Sequence, residues 1–255
     1  MFKRTLIALG TLGVTAAAQA AEEAQADWTG LYMGLGIETT KAKVSVNPDP
    51  SGIILFDNLE DLSGNKADWA GAIQFGFRKE FGKLVLGAEL EGIFGGGRTI
   101  ADSTDGLLFE DAPDFLTLSS EATVSVKPKG RMVGTVEVPI GKHFLIGGEA
   151  GFTLATTSVS GDIYGPYNFF DPTIREHWAS YSDTSNQIGG TYGIRATAKV
   201  GKHMLITARY TFAKLGTATA PVTLDELEII DMPVVQAAEA VTKLESFRLG
   251  VGYQF

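Results

Sequence analysis

The sequence predicts an all-β fold, an eight-stranded antiparallel up-and-down transmembrane β-barrel with short periplasmic turns and four long extracellular loops. Three observations carry that reading. Most of the chain alternates polar and apolar residues with a period of two, its connections switch between very short and very long, and its first residues have the form of a secretory signal.

The signal comes first. Lys3 and Arg4 precede an apolar run over 5–18 that ends in Ala18-Gln19-Ala20, a basic start, greasy middle and small-residue cleavage pattern. Residues 1–20 are therefore expected to be a cleaved signal peptide, 21–27 a periplasmic N-terminal segment and 28–255 the barrel. The run is too short for a spanning helix, which needs about 20 apolar residues. Composition excludes other classes. At 44% hydrophobic and 20% charged, the chain is too apolar to be disordered. A net charge of −9 opposes nucleic-acid binding. The absence of cysteine removes thiol catalysis, disulfides and cysteine-ligated zinc.

Alternating runs cover 28–43, 69–81, 84–94, 122–140, 144–156, 188–200, 204–215 and 241–255. In the last, Phe247, Leu249, Val251, Tyr253 and Phe255 face one way, and Arg248, Gly250, Gly252 and Gln254 the other. Three connections are tight. Gly82-Lys83 suits a two-residue turn with glycine first, and Gly-Lys-His recurs at 141–143 and 201–203. The other four, roughly 47–68, 95–121, 157–187 and 216–240, are long and rich in Asp, Ser and Pro. A soluble β-sandwich also has one apolar face per strand. Structureless loops of this length would be unusual in it, and are ordinary on the outer side of a membrane barrel. Aromatic residues fall near both strand ends, where girdles flank the apolar band: Phe75, Phe77, Phe81, Phe144, Tyr253 and Phe255 at one end, Trp69, Phe94, Phe152, Phe212 and Phe247 at the other.

Two segments resemble a known family. Trp28-Thr29-Gly30-Leu31-Tyr32-Met33-Gly34 is similar to the opening of small eight-stranded outer-membrane barrels of the opacity and surface-antigen type, related to the OmpA-like transmembrane barrel. The ending over 247–255 looks like the terminal strand read by the barrel-assembly machinery, with Phe247, Leu249, Val251, Tyr253 and Phe255 as the assembly signal. The resemblance implies the architecture and a place in the cell outer membrane. It says little of activity, since the family includes adhesins, structural proteins and minor pores.

With the apolar face outward, the inner face carries Glu38, Arg78, Glu89, Glu91, Arg131, Glu137, Glu149, Arg195, Lys199, Arg209 and Arg248. Buried charges must pair, and eight strands leave an interior only wide enough for side chains. A plug of ion pairs is expected, with Glu89, Glu149, Arg195 and Arg209 at one height and Arg248 and Glu91 about two residues higher. The alternative is a narrow porin for small solutes, gated by the same network.

Acidity concentrates in the long connections. Residues 47–67, 98–121, 160–186 and 216–240 hold 19 acids against three bases. Clusters stand at Asp102, Asp105, Glu110, Asp111 and Asp114, and at Asp225, Glu226, Glu228 and Asp231. They suit divalent cations, yet neither has a calcium-loop spacing, and solvated surface charge explains them as well. Lys41, Lys43, Lys127, Lys129, Lys214 and Lys243 lie toward the outer strand ends, within reach of lipid phosphates or simply snorkelling. Expected partners are outer-membrane lipids and lipopolysaccharide, the assembly machinery and divalent cations at the acidic loops, with no nucleic acid. No catalytic residue, cofactor or metal ligand set stands out. His143 and His203 lie in short turns, and only His177 has acids and serines nearby in sequence. The expected function is non-enzymatic: envelope structure and display of acidic loops. A loop-borne adhesin or receptor is a further alternative.

Overall fold

A computed structural model describes residues 27–47, 62–107, 117–168, 171–224 and 237–255. The signal segment 1–20 and the acids Glu110, Asp111, Asp114, Asp225, Glu226, Glu228 and Asp231 lie outside the described residues. Nine strands follow in order: β1 Gly30–Asn47, β2 Leu62–Phe81, β3 Leu84–Gly95, β4 Arg98–Leu107, β5 Thr117–Ile140, β6 Phe144–Asn168, β7 Asp171–Val200, β8 Met204–Leu224 and β9 Ala237–Gln254. The pairing is antiparallel throughout. β1 pairs with both β2 and β9, and β3 with both β2 and β5, so the sheet closes into a ring. β4 continues β3 beyond a kink at Gly95 and Gly96, whose φ values of 81° and 69° favour glycine, and it too pairs with β5. β3 and β4 together make one stave of eight.

The registers define the barrel's shape. Cross-strand partners followed round the ring from Lys43 pass through Lys243, Lys214, Gly190, Phe152, Met132, Leu90 and Phe75. They return to β1 at Met33, ten positions below Lys43. Eight strands with that stagger, at a spacing of about 4.8 Å and a rise of about 3.3 Å per residue, tilt by roughly 41°. Each residue then climbs ~2.5 Å along the axis, and the backbone lies roughly 8 Å from it.

The tight turns follow from their glycines. Gly82 has φ 63°, and no non-glycine among the described residues has positive φ, so Lys83 takes the second position of a type II′ turn. Gly141 and Gly201 open the two Gly-Lys-His turns, each at φ 65°.

At the far end the chain is more strand than the sequence ranges anticipate. β6 and β7 run as one long ribbon to Asn168 and from Asp171. The physical reason is an inversion of polarity along the strands. In the lower part, Leu31, Leu35 and Ile37 of β1 face outward at 58–67% exposure, while Glu38 points inward and is fully buried. Higher on β1 the inward positions become Ala42, Val44 and Val46, and Lys43 is on the exposed side. The same change occurs on β5. There a bulge between Pro128 and Gly130 shifts the inward set from Arg131, Thr135 and Glu137 below to Ala122, Val124 and Val126 above. Alternation persists but its contrast falls to Ala and Val against Ser and Thr, which reads in sequence as a polar loop.

The lower barrel is thus greasy outside and ionic inside, and the upper barrel has the reverse polarity of a water-soluble domain. On β3 the outward apolar side chains extend from Leu84 to Phe94, ten residues or ~25 Å, the height of the apolar band of a membrane barrel. Exposed apolar side chains of this size, continuous around the ring, form a band of the kind that meets a membrane.

Candidate functional site

The interior is filled in three storeys. At the short-turn end, Trp28 folds into the mouth and is 1% exposed, packed in one apolar cluster with Tyr32, Val85, Leu145 and Leu205. The segment before β1 is tied there by Lys199, whose Nζ donates to the Asp27 carbonyl at 2.6 Å and lies 5.7 Å from the Trp28 ring centroid. Gln254 adds bonds from its amide nitrogen to the carbonyls of Asp27 and Thr29.

Above this floor is the ionic layer. Glu38, Arg78, Glu89, Glu91, Arg131, Glu137, Glu149, Arg195, Arg209 and Arg248 all point inward, and none is more than 5% exposed. They form one continuous chain of contacts. Arg131 joins Glu38 and Glu91, each at 3.2 Å, and Arg248 meets Glu91 at 2.6 Å. Arg209 contacts Glu91, Glu89 at 2.7 Å and Glu149 at 3.4 Å. Arg195 reaches Glu89 at 3.1 Å and both Glu149 and Glu137 at 3.5 Å. Arg78 closes the series on Glu137 at 3.4 Å. Five carboxylates thus face five guanidiniums, a neutral set in which each charge has an opposite neighbour. Such pairing offsets part of the cost of burying charge.

Heights follow from the stagger. Glu38, Arg131, Arg248 and Glu91 fall at the top of the layer; Arg209, Glu149, Glu89 and Arg195 stand just below; Arg78 and Glu137 lie lowest. Small residues make the space. A Cβ on Gly36 would come within 2.8 Å of the Arg248 Nε, and one on Gly76 would collide with the Tyr32 phenol. Tyr32 occupies that gap to donate to Glu89 at 2.6 Å and lies under Arg78, whose Cζ is 4.4 Å from the ring centroid.

The third storey is apolar. Ala42, Val44, Val46, Val124, Val126, Val159, Ile163, Leu215, Leu244 and their neighbours form one buried cluster. A void of about 10 Å³ beside Val44, Val46, Ile100 and Val124 has room for no more than one water. Arg98 marks the boundary with the ionic layer. It is fully buried, and its guanidinium donates to the carbonyls of Thr40 at 2.8 Å and Gly96 at 2.7 Å, pinning the kinked stave to β1.

Several of these residues escape sequence reasoning. Trp28 reads as the first strand residue, yet it caps the lumen. Arg98 falls inside a presumed loop, although the three glycines at 95–97 before it mark a break. Tyr32 reads as part of a motif rather than as a ligand of Glu89. Phe247, Leu249, Val251, Tyr253 and Phe255 all lie on the outward side of β9 or at its end, and β9 closes the ring between β8 and β1.

His177 Nε2 lies 3.0 Å from Asp162 Oδ1, with Tyr164 edge-on at 5.4 Å, on the upper barrel. His203 stacks on Tyr253. Among the described residues, no group of three or more acids and histidines is placed to hold a metal ion.

Residues 6–255 match the model of the outer membrane protein beta-barrel domain. Among solved structures, OprG from Pseudomonas aeruginosa is similar at 12% identity and a TM-score of 0.49, covering 91% of this chain and 99% of that one. The outer membrane protease OmpT from Escherichia coli aligns at 11% identity and a TM-score of 0.46, covering 92% and 99%. Ail, the attachment invasion locus protein of Yersinia pestis, aligns at 13% identity and a TM-score of 0.36, covering 89% and 99%. No curated protein is similar to the sequence at a significant level. With its family model matched over nearly the whole length, the chain belongs to the outer membrane protein beta-barrel family, and its greasy lower band is the part that faces the lipid of the outer membrane.

Proposed function

We propose that this protein is a closed, non-enzymatic barrel that serves envelope structure and carries its acidic segments on the cell surface. The observation that supports this most is the exposure of the lumenal charges. A water-filled pore wets its walls, whereas all ten charged side chains of the ionic layer are at most 5% accessible. The apolar floor at Trp28 and the Ala/Val storey above act in series with that layer, so a solute would have to displace three different kinds of packing. The segment 1–20 supplies export in this reading, and the terminal strand supplies recognition by the assembly machinery.

Planar-bilayer recording tests the closed state. The folded protein is expected to add no stable unitary conductance above the bare membrane. Steady openings in the wild type whose size changes in Glu89→Ala or Arg209→Ala would overturn it and favour the gated porin.

A further inference from the structure

We infer that the outward face of β1, β9 and β8 binds the phosphate groups of an outer-leaflet lipopolysaccharide through a diagonal row of three lysines. Lys43 and Lys243 are direct cross-strand partners, and Lys243 is also the direct partner of Lys214. All three are exposed and on the outward side. Like charges set directly opposite on adjacent strands destabilise a sheet, so an unrelieved row of three is an unfavourable arrangement. Among the described residues, Glu245 takes one of them, by an ion pair to Lys43, and neither Lys214 nor Lys243 has a hydrogen-bond or ion-pair partner. Lys41, directly opposite Glu245, adds a fourth positive charge to the same face.

The height of the row selects the ligand. Lys214 is two residues beyond Phe212, and Lys243 four residues beyond Phe247. At ~2.5 Å per residue these are roughly 5 and 10 Å above the upper aromatic ring, in the headgroup zone. Below the row, Tyr210 and Phe247 are direct partners, and Phe212 stacks on Tyr192 with centroids 5.6 Å apart. Leu249 and Ile37 continue the apolar surface downward. One ligand that satisfies both parts has two or more phosphates at the lysines and acyl chains along the aromatic and aliphatic face. Ammonium groups bind phosphate as point charges without demanding a fixed fork, which suits a mobile lipid.

This inference rests on the membrane orientation and not on the closed lumen, so conductance leaves it untouched. The test uses the folded, detergent-purified protein stripped of lipid, with binding read by native mass spectrometry. The probes are bisphosphorylated lipid A, the same lipid with both phosphates removed, and inorganic phosphate. Each lysine near an anionic surface contributes about fivefold, so three give on the order of a hundredfold. The wild type is expected to prefer the phosphorylated lipid by that order. Lys43→Gln/Lys214→Gln/Lys243→Gln should lose the preference, and Lys127→Gln/Lys129→Gln on β5 should keep it. Heat-modifiable gel mobility checks folding of each variant. Should the triple variant not fold, Lys214→Gln and Lys243→Gln singly carry the test, each expected to lose about fivefold of the preference while Lys127→Gln/Lys129→Gln keeps it, and no loss in either overturns the proposal. Equal affinity for the two lipids overturns the proposal, as does an equal loss in the β5 variant. Full displacement of the lipid by inorganic phosphate would assign the row to a free anion and overturn it too.

Discussion

Glu89 is the point at which the ionic layer is most exposed to a single perturbation. Its carboxylate accepts from Tyr32 at 2.6 Å, Arg209 at 2.7 Å and Arg195 at 3.1 Å, and it is 2% exposed. Glu89→Ala removes the anion and leaves a net charge of +1 in a layer that is otherwise neutral. Arg195 keeps Glu137 and Glu149 at 3.5 Å, and Arg209 keeps Glu149 at 3.4 Å and its contact with Glu91, so neither guanidinium is wholly stranded. Breaking one member out of a buried ionic set costs about 3–5 kcal/mol, and the surviving contacts place the expected loss near the lower end. Glu89→Ala/Arg209→Ala restores neutrality. The double variant should therefore be more stable than the sum of the single losses implies, with a coupling of about 1–3 kcal/mol. Urea unfolding of the barrel in lipid vesicles, followed by tryptophan fluorescence and gel mobility, measures all four members of the cycle. A loss below about 1 kcal/mol in Glu89→Ala together with additive single effects would refute the claim that the layer acts as a neutral, mutually dependent set.

Leu249→Arg places a charge on the lipid face near the middle of the apolar band and should cost about 2–4 kcal/mol in the same assay; an unchanged midpoint would contradict the outward orientation of Leu249, Val251 and their neighbours. Val159→Asp puts a lone charge into the upper apolar storey, where Val159 is 1% exposed, and leaves the ionic layer alone. The expected result is new protease cleavage in the upper parts of β6 and β7 with heat-modifiable mobility retained, and unaltered protection would argue against a packed core above the membrane.

How much of this was legible in the chain varies from residue to residue. The strand Phe247 to Phe255 announces itself because large side chains alternate with arginine and glycine, and the outward set can meet only lipid once the inward set is ionic. The ten lumenal charges are legible for the same reason, as each sits in phase with glycine or threonine on an otherwise greasy strand. Contrast is lost above the membrane. At Ala42, Val44 and Ala218 the inward residues are small, and their neighbours are threonine, serine or lysine. Bulges at Lys129 and between Lys214 and Thr217 also break the phase. Period alone therefore reports loops where the structure has strands.

Sequence by itself determined the class of the fold, its short-turn end and its lipid-facing side, because alternation and turn chemistry are local properties. Tertiary structure alone decided which glutamate meets which arginine, that Trp28 seals the mouth and that three lysines line up across three strands. Those relations depend on the ten-residue stagger with which the ring closes, and no stretch of chain contains the register of its own closure.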